Sequence, residues 1–292
     1  MKILFIINPI SGATSNDDAI LLIHEKAASS GVDFKFFYTS AENDDEAIQA
    51  QLVAYKPDRV VACGGDGTVQ VVARNLMDHT IPMGILPLGS ANGLATALGL
   101  SQKLNEAVDL IFEGSHTIPL DLLKFSNGHL CTHLSDIGIN ARMIKSYEES
   151  GDRGMIGYAK HLLQAIKETP MLTYTIRTPQ ETYEKEGYML VIANANMYGT
   201  GIRISEGSVS DGKFEICNVE KVALDEAIKA GLTKFNVFVD KNMFSDVISC
   251  DQAEINISRK VDFQIDGEYM GEVDHLAVTI FPSALHILVN NE

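Results

Sequence analysis

Arg59-Val60-Val61-Ala62-Cys63-Gly64-Gly65-Asp66-Gly67-Thr68 is the stretch on which the rest of the chain turns. Residues 59–63 form a short run, apolar after its first member and without alternation, as expected of a strand buried on both faces of a parallel sheet. The run ends in three glycines within four positions, and residues 69–77 then repeat with helical period. Glycines in such a strand-to-helix turn admit positive φ and a close backbone approach, and the N–H groups of the helix start face an anion. Asp66 is the odd member. A carboxylate repels bare phosphate, so it points to a bridging Mg²⁺ or a proton-accepting role. The plain alternative is a tight turn with an aspartate cap.

Outward from this loop the first 120 residues alternate strand and helix. Strands are predicted over 3–7, 32–38, 59–63 and 83–86. Helices are predicted over 19–28, with Ser15 and Asp18 as a capping box and Gly31 as the stop, over 44–55, stopped by Lys56-Pro57, and over 69–77. This is the pattern of a doubly wound α/β domain. Two further turns end strands: Asn8-Pro9-Ile10-Ser11-Gly12 and Pro87-Leu88-Gly89-Ser90-Ala91-Asn92-Gly93. Open α/β sheets bind ligands at the carboxyl ends of their strands, so three such turns there point to a phosphate-bearing ligand. Each alone could be loop punctuation. There is no GxxxxGKS/T and no GxGxxG, which leaves a P-loop or dinucleotide-binding site unsupported.

From about residue 119 the texture changes to β-branched and aromatic runs separated by Asn127-Gly128, Asp211-Gly212 and Asp266-Gly267. A second, antiparallel β domain is expected, interrupted by one helix over 157–168. The boundaries are drawn at 1–122 plus 281–292 and at 123–280.

A formal net charge of −16 argues against nucleic acid as a partner and against broad adhesion to anionic lipid. Any membrane contact is then transient, local and largely apolar. The hydrophobic fraction of 46% and charged fraction of 21% are those of a globular protein. Cys63, Cys131, Cys217 and Cys250 are scattered, with no metal-binding spacing, and read as reduced core residues. The apolar run 3–7 is too short for a signal or a membrane span, so the expected location is the cytoplasm. A homodimer is left open.

Residues 8–12, the Gly64 to Thr68 loop, the turn from Pro87 to Asn92 and a late Asp266-Gly267-Glu268 resemble, in order and spacing, the diacylglycerol kinase catalytic-domain family. That family joins bacterial soluble lipid kinases with sphingosine and ceramide kinases, and the resemblance covers nearly the whole chain. It implies an α/β nucleotide-binding domain, a β-sandwich second domain, and a C-terminal segment that returns to the first. It implies ATP as phosphoryl donor, Mg²⁺ as cofactor and a lipid hydroxyl as acceptor. Carried over by position, Asn8, Ser11, Gly12 and Thr39 lie near the nucleotide. Gly64, Gly65, Gly67, Thr68, Gly89, Ser90 and Asn92 surround its phosphates. Asp66 is the essential carboxylate, Glu268 the proton acceptor, and Asp266 a catalytic partner acting more through positioning. Asp121 resembles an acidic member of a metal-linked water network. Asp211, with Ser208 and Lys213, resembles a structural Mg²⁺ loop, although Asp211-Gly212 by itself is an ordinary turn.

Two positions depart from the bacterial pattern: Val71 replaces a usual Glu, and Gly93 follows Asn92 where Asp is usual. The stretch from Gly89 to Ala95 looks more like the sphingosine-kinase form. Two alternatives stay open: an NAD kinase-like enzyme, and a nucleotide-binding regulator on the same scaffold. Met155, Ile156, Tyr158, Leu162 and Leu163 are candidates to face the acceptor lipid, with ordinary core packing as the alternative for each.

Overall fold

The computed structural model describes residues 1–10, 16–40, 42–77, 79–151, 154–194, 197–198, 202–203, 208–220 and 244–291. The chain divides into two compact units: Met1–Asp121 with Pro282–Glu292, and Leu122–Phe281. It passes from one unit to the other inside one strand and returns inside another.

The first unit follows the alternation of its sequence: β1 (Lys2–Ile7), α1 (Asn16–Ser30), β2 (Asp33–Tyr38), α2 (Asp44–Tyr55), β3 (Arg59–Gly64), α3 (Asp66–Leu76), β4 (Met83–Pro87), α4 (Gly93–Ala97) and α5 (Leu104–Glu113). β1 pairs in parallel with β2 and β3, and β3 with β4. The order is therefore β2-β1-β3-β4, with Ile287 from the C-terminal segment placed beside Met83 as a further parallel strand. Ile3, Phe5, Ile7, Val61 and Cys63 meet Ile23, Ala27, Val108 and Ile111 of α1 and α5 in one core. Leu4, Ile6, Val60 and Ala62, which alternate with these, are as fully buried. Burial on both faces explains the unbroken apolar runs, and each large side chain removed from water contributes about 1.5–3 kcal/mol.

The second unit begins within β5 (Thr117–Phe125) and continues with β6 (Leu130–Cys131), β7 (Leu134–Gly138), α6 (Ile139–Ser150), α7 (Gly154–Glu168), β8 (Leu172–Arg177), β9 (Thr182–Gly187), β10 (Met189–Ala193), the two-residue pair β11 (Met197–Tyr198) and β12 (Ile202–Arg203), β13 (Phe214–Val219), β14 (Phe244–Cys250), β15 (Gln252–Ile265) and β16 (Glu268–Leu288). It is an antiparallel β-sandwich. β15 makes the two layers one body: residues 254–257 pair with β8, while residues 263–265 pair with β7, which leads on to β10, β13 and β14. Tyr174 and Ile176 of β8 meet Leu190, Ile192 and Ile216 of the other layer, with Phe125 and Phe263 edge to face at 5.3 Å.

Among the described residues the β domain carries two helices where one was expected. The missed helix, α6, opens on the β-branched Ile139 directly after a buried strand, which masks its period. Ile139 and Met143, one turn apart, pack with Leu162 and Ala165 of α7. α3 also starts three residues earlier than the periodic run indicates, so Asp66, Gly67 and Thr68 form its first turn.

Candidate active site

In the first unit four strand ends are stitched side by side by backbone hydrogen bonds. Thr39 N–H donates to Ile7 O at 2.9 Å, Asn8 N–H to Cys63 O at 3.1 Å, and Leu88 N–H to Gly64 O at 3.0 Å. This places Thr39, Asn8, Gly64 and the Gly89 turn along one carboxyl edge, in the order of the strands. Asn8 shapes its own turn by accepting Ile10 N–H at 3.0 Å, while its carbonyl accepts Asn16 Nδ2 at 3.1 Å. Ser11 and Gly12 lie outside the described residues.

The two glycine turns press against each other. A Cβ on Gly89 would stand 2.4 Å from Gly65 Cα, and one on Gly64 would stand 2.1 Å from Thr68 Oγ1. Positive φ is not what these glycines supply. Gly65 is extended at φ −89°, and none of Gly64, Gly67 and Gly89 is in the left-handed region. Close approach is the reason for glycine here. The left-handed residue of the second turn is Asn92, at φ 49°. Its amide closes the turn on itself, accepting Gly89 N–H at 3.0 Å, donating to Gly89 O at 2.9 Å and reaching Gln102 Oε1 at 3.0 Å. Asn92 is thus a buried brace, and exposed Ser90 is the hydroxyl of the turn that meets solvent.

Asp66 answers the electrostatic problem its position raises. Its carboxylate accepts Gly93 N–H at 2.9 Å and Leu94 N–H at 3.2 Å, so its charge is met by the start of α4. A carboxylate oxygen can accept more than one such bond. The first N–H groups of α3 have no intrahelical acceptor, and the buried Thr68 Oγ1 has no hydrogen-bond partner. The edge can therefore receive an anion from backbone donors.

In the second unit, Asp266 and Gly267 are both left-handed, at φ 49° and 89°, and form a two-residue hairpin loop between paired Ile265 and Glu268. The two carboxylates part company. Asp266 turns inward, where it accepts Thr132 N–H at 2.8 Å and Thr132 Oγ1 at 3.0 Å. His133 N–H at 2.9 Å and Leu134 N–H at 3.1 Å bind its other oxygen. The Cys131 thiol adds a longer contact at 3.3 Å, and burial, with Asp266 beside it, pushes that thiol well above its ordinary range. So satisfied a carboxylate is a clamp for the turn. Glu268 is exposed. Beyond it Tyr269 donates to Asp262 Oδ1 at 2.9 Å, and Lys145 of α6 binds the same oxygen at 3.0 Å.

The metal-site candidates separate. Asp121 is fully buried in the first unit and accepts Ser283 N–H at 2.6 Å. Asp211 belongs to the second unit and accepts Ser208 N–H at 2.9 Å and Lys213 N–H at 3.0 Å, with Ser208 and Ser210 hydroxyls 3.3 Å apart. Among the described residues no three His, Cys, Asp or Glu side chains gather as a metal cage. A carboxylate, hydroxyls and turn carbonyls are a hard-oxygen set of the kind that fits a mostly hydrated Mg²⁺. Of the candidate acceptor-lining residues, Leu162 is a core residue of the α6–α7 contact and Leu163 is 37% exposed. The side chains of Met155, Ile156 and Tyr158 lie outside the described residues.

Sequence reasoning missed Gln102, which braces Asn92, and Asp262 and Gln264, which with the predicted Asp266 form one polar set. That set had a signal: three polar residues at period two inside an otherwise apolar strand share one face and need partners.

Residues 2–125 match the family described as Diacylglycerol kinase catalytic domain, and residues 135–289 match the YegS C-terminal NAD kinase beta sandwich-like domain. A diacylglycerol kinase of Bacillus subtilis (strain 168) is 22% identical over 295 residues, spanning 98% of this chain and 96% of that protein. A protein of Pectobacterium atrosepticum named "Probable lipid kinase YegS-like" is 24% identical over 286 residues, 95% of this chain and 93% of its own. The crystal structure of a diacylglycerol kinase from Bacillus anthracis str. Sterne has the same fold, with a TM-score of 0.75 at 23% identity over 99% of this chain and 97% of that one.

Proposed function

This chain belongs to the diacylglycerol kinase catalytic-domain family, and on that premise we propose that it transfers the γ-phosphoryl group of ATP to a hydroxyl of a lipid, diacylglycerol or a sphingoid base. The observation that carries the reading is the stitched carboxyl edge of the first unit. There Gly65 and Gly89 bring two turns into backbone contact beside the α3 N-terminus, and Asp66 has its charge met by Gly93 and Leu94. Such an edge suits a polyphosphate, because backbone N–H groups hold oxygens without reorganising.

Phosphoryl transfer asks mainly for position and charge stabilisation. In this reading Asn8 and Thr39 border the nucleotide, and the α3 start, with Gly67, Thr68 and Ser90, receives its phosphates. The acceptor oxygen forms its bond to the γ-phosphorus as the bond to the ADP oxygen breaks. Glu268 takes the acceptor's hydroxyl proton, and Asp266 holds the turn from which Glu268 projects. Mg²⁺, when bound, would neutralise phosphate charge, with Asp66 and Asp121 the carboxylates of the nucleotide unit that would hold it and Asp211 a separate structural ligand. Membrane contact is transient; no described helix is long and apolar enough to cross a bilayer.

The test is turnover of labelled ATP against diacylglycerol and sphingosine in mixed micelles, with NAD as a third arm and mass identification of the product. A phosphorylated lipid is the expected result. Phosphorylated NAD alone, or ATP binding with no product in any arm, would replace the reading.

A further inference from the structure

The reaction above gives no task to one buried carboxylate of the second unit. Asp136, in the middle of β7, is fully buried. Its Oδ2 accepts Asn140 Nδ2 at 2.6 Å and Gln264 Nε2 at 2.5 Å, while Oδ1 makes no hydrogen bond of good geometry. Burial pushes its carboxyl up to about 7, against the opposing pull of Asn140, Gln264 and the Ala141 N–H. An under-satisfied carboxyl in a core is a poor stability device, so its use has to be sought in what it orients.

That use is one hydrogen bond away. Gln264 Oε1 accepts Gly267 N–H at 2.8 Å. A primary amide has one donating end and one accepting end. Asp136 takes the NH₂ end, which turns Oε1 toward Gly267. Protonation at the unbonded Oδ1 leaves Oδ2 an acceptor, so the orientation survives titration. The clamp from Asp266 fixes the first loop residue; Gln264 fixes the second, the one joined to Glu268.

We propose that Asp136 is a positioning residue: by setting the amide of Gln264 it holds the Gly267 N–H, and so fixes the direction from which Glu268 meets the acceptor hydroxyl. The inference rests on the reading of Glu268 as proton acceptor.

The variants are Asp136→Ala, Asp136→Asn and Gln264→Met, a near-isostere that keeps the strand filled. Hydrogen exchange of the hairpin peptide over 264–270 reads the hold directly. Asp136→Ala and Gln264→Met should each speed exchange of the Gly267 amide about tenfold, and Asp136→Asn, which keeps the acceptor, should restore it. With ATP and diacylglycerol micelles, the first two should lower kcat about tenfold at unchanged KM for ATP, as a displaced catalytic group does. Asp136→Asn should recover the rate. In a Glu268→Gln background Asp136→Ala should cost nothing further. Unchanged exchange in both Gln264→Met and Asp136→Ala overturns the proposal, as does an equal further loss of kcat in the Glu268→Gln background. Faster exchange together with wild-type turnover by Glu268→Gln keeps the hold and instead removes the proton-acceptor assignment.

Discussion

Glu268 and Asp266 are two residues apart and differ in setting, because a two-residue left-handed loop sends one carboxylate into the sandwich and leaves the other residue exposed. Glu268→Gln should lower kcat by about 10²- to 10⁴-fold, the usual range for a general base, with ATP affinity unchanged by calorimetry. Asp266→Asn should instead act on the fold, since one oxygen that accepts two N–H groups is replaced by a donor or moved away; a lowered unfolding midpoint is the readout. Asp136 makes a pH-dependent prediction. Its carboxyl is raised to about 7 by burial, above its unfolded value of 3.8, so the folded state holds the proton more tightly. Its cost to stability is absent below about pH 4, grows as pH rises and is complete above about pH 7, reaching on the order of a few kcal/mol. Among the charged groups of the elements beside it, Lys145 of α6 and Asp262 of β15 are paired with each other at 3.0 Å, and Arg142 of α6 with Glu168 at 3.3 Å. Asp136→Asn should therefore raise the thermal midpoint at pH 8 and leave it near wild type at pH 4. The reverse order would mean the carboxyl is better solvated than its burial implies.

Turns carry the element scale. Gly31 and Gly89 are both strand- or helix-end glycines, yet for different reasons. Gly31 has φ 65° and open space where a Cβ would be, whereas Gly89 has no left-handed strain but backbone 2.4 Å from that position. Gly31→Asn should be nearly neutral, since Asn tolerates the left-handed region. Gly89→Ala should force the two touching turns apart and, if they cradle the phosphates as proposed, weaken ATP binding tenfold or more by calorimetry. Equal affinities for the two variants would remove the close-approach argument. α6 shows the same dependence on context: Ile139 and Met143 acquire a helical reading once α7 supplies the surface they pack on.

At the scale of the molecule, a net charge of −16 sets how a lipid can be reached. Electrostatic adhesion to an anionic surface is unfavourable, so the membrane contact proposed for this chain would come from limited apolar exposure. Vesicle sedimentation at low salt should show no stronger binding to anionic than to zwitterionic bilayers. A marked preference for anionic vesicles would require a local basic surface that the overall charge conceals.

Much of this protein was legible before any fold was known. Residues 3–7, 60–63 and 83–86 are apolar without alternation because parallel strands covered on both faces bury their side chains, and the turns that follow them mark the edge where open α/β sheets bind ligands. The composition, the change of period near residue 119 and the Asp-Gly hairpins likewise follow from local rules. What the tertiary structure decided is which member of each motif is held by partners and which is left exposed. Asp66 meets α4 from 27 residues away, Asp266 meets Thr132 from 134 away, and Gln264 meets Asp136 from 128 away. Period and propensity report only neighbours within a turn or a pleat. A carboxylate's partners across the sheet decide whether it is a charge, a cap or a clamp, and those exist only once the chain has folded.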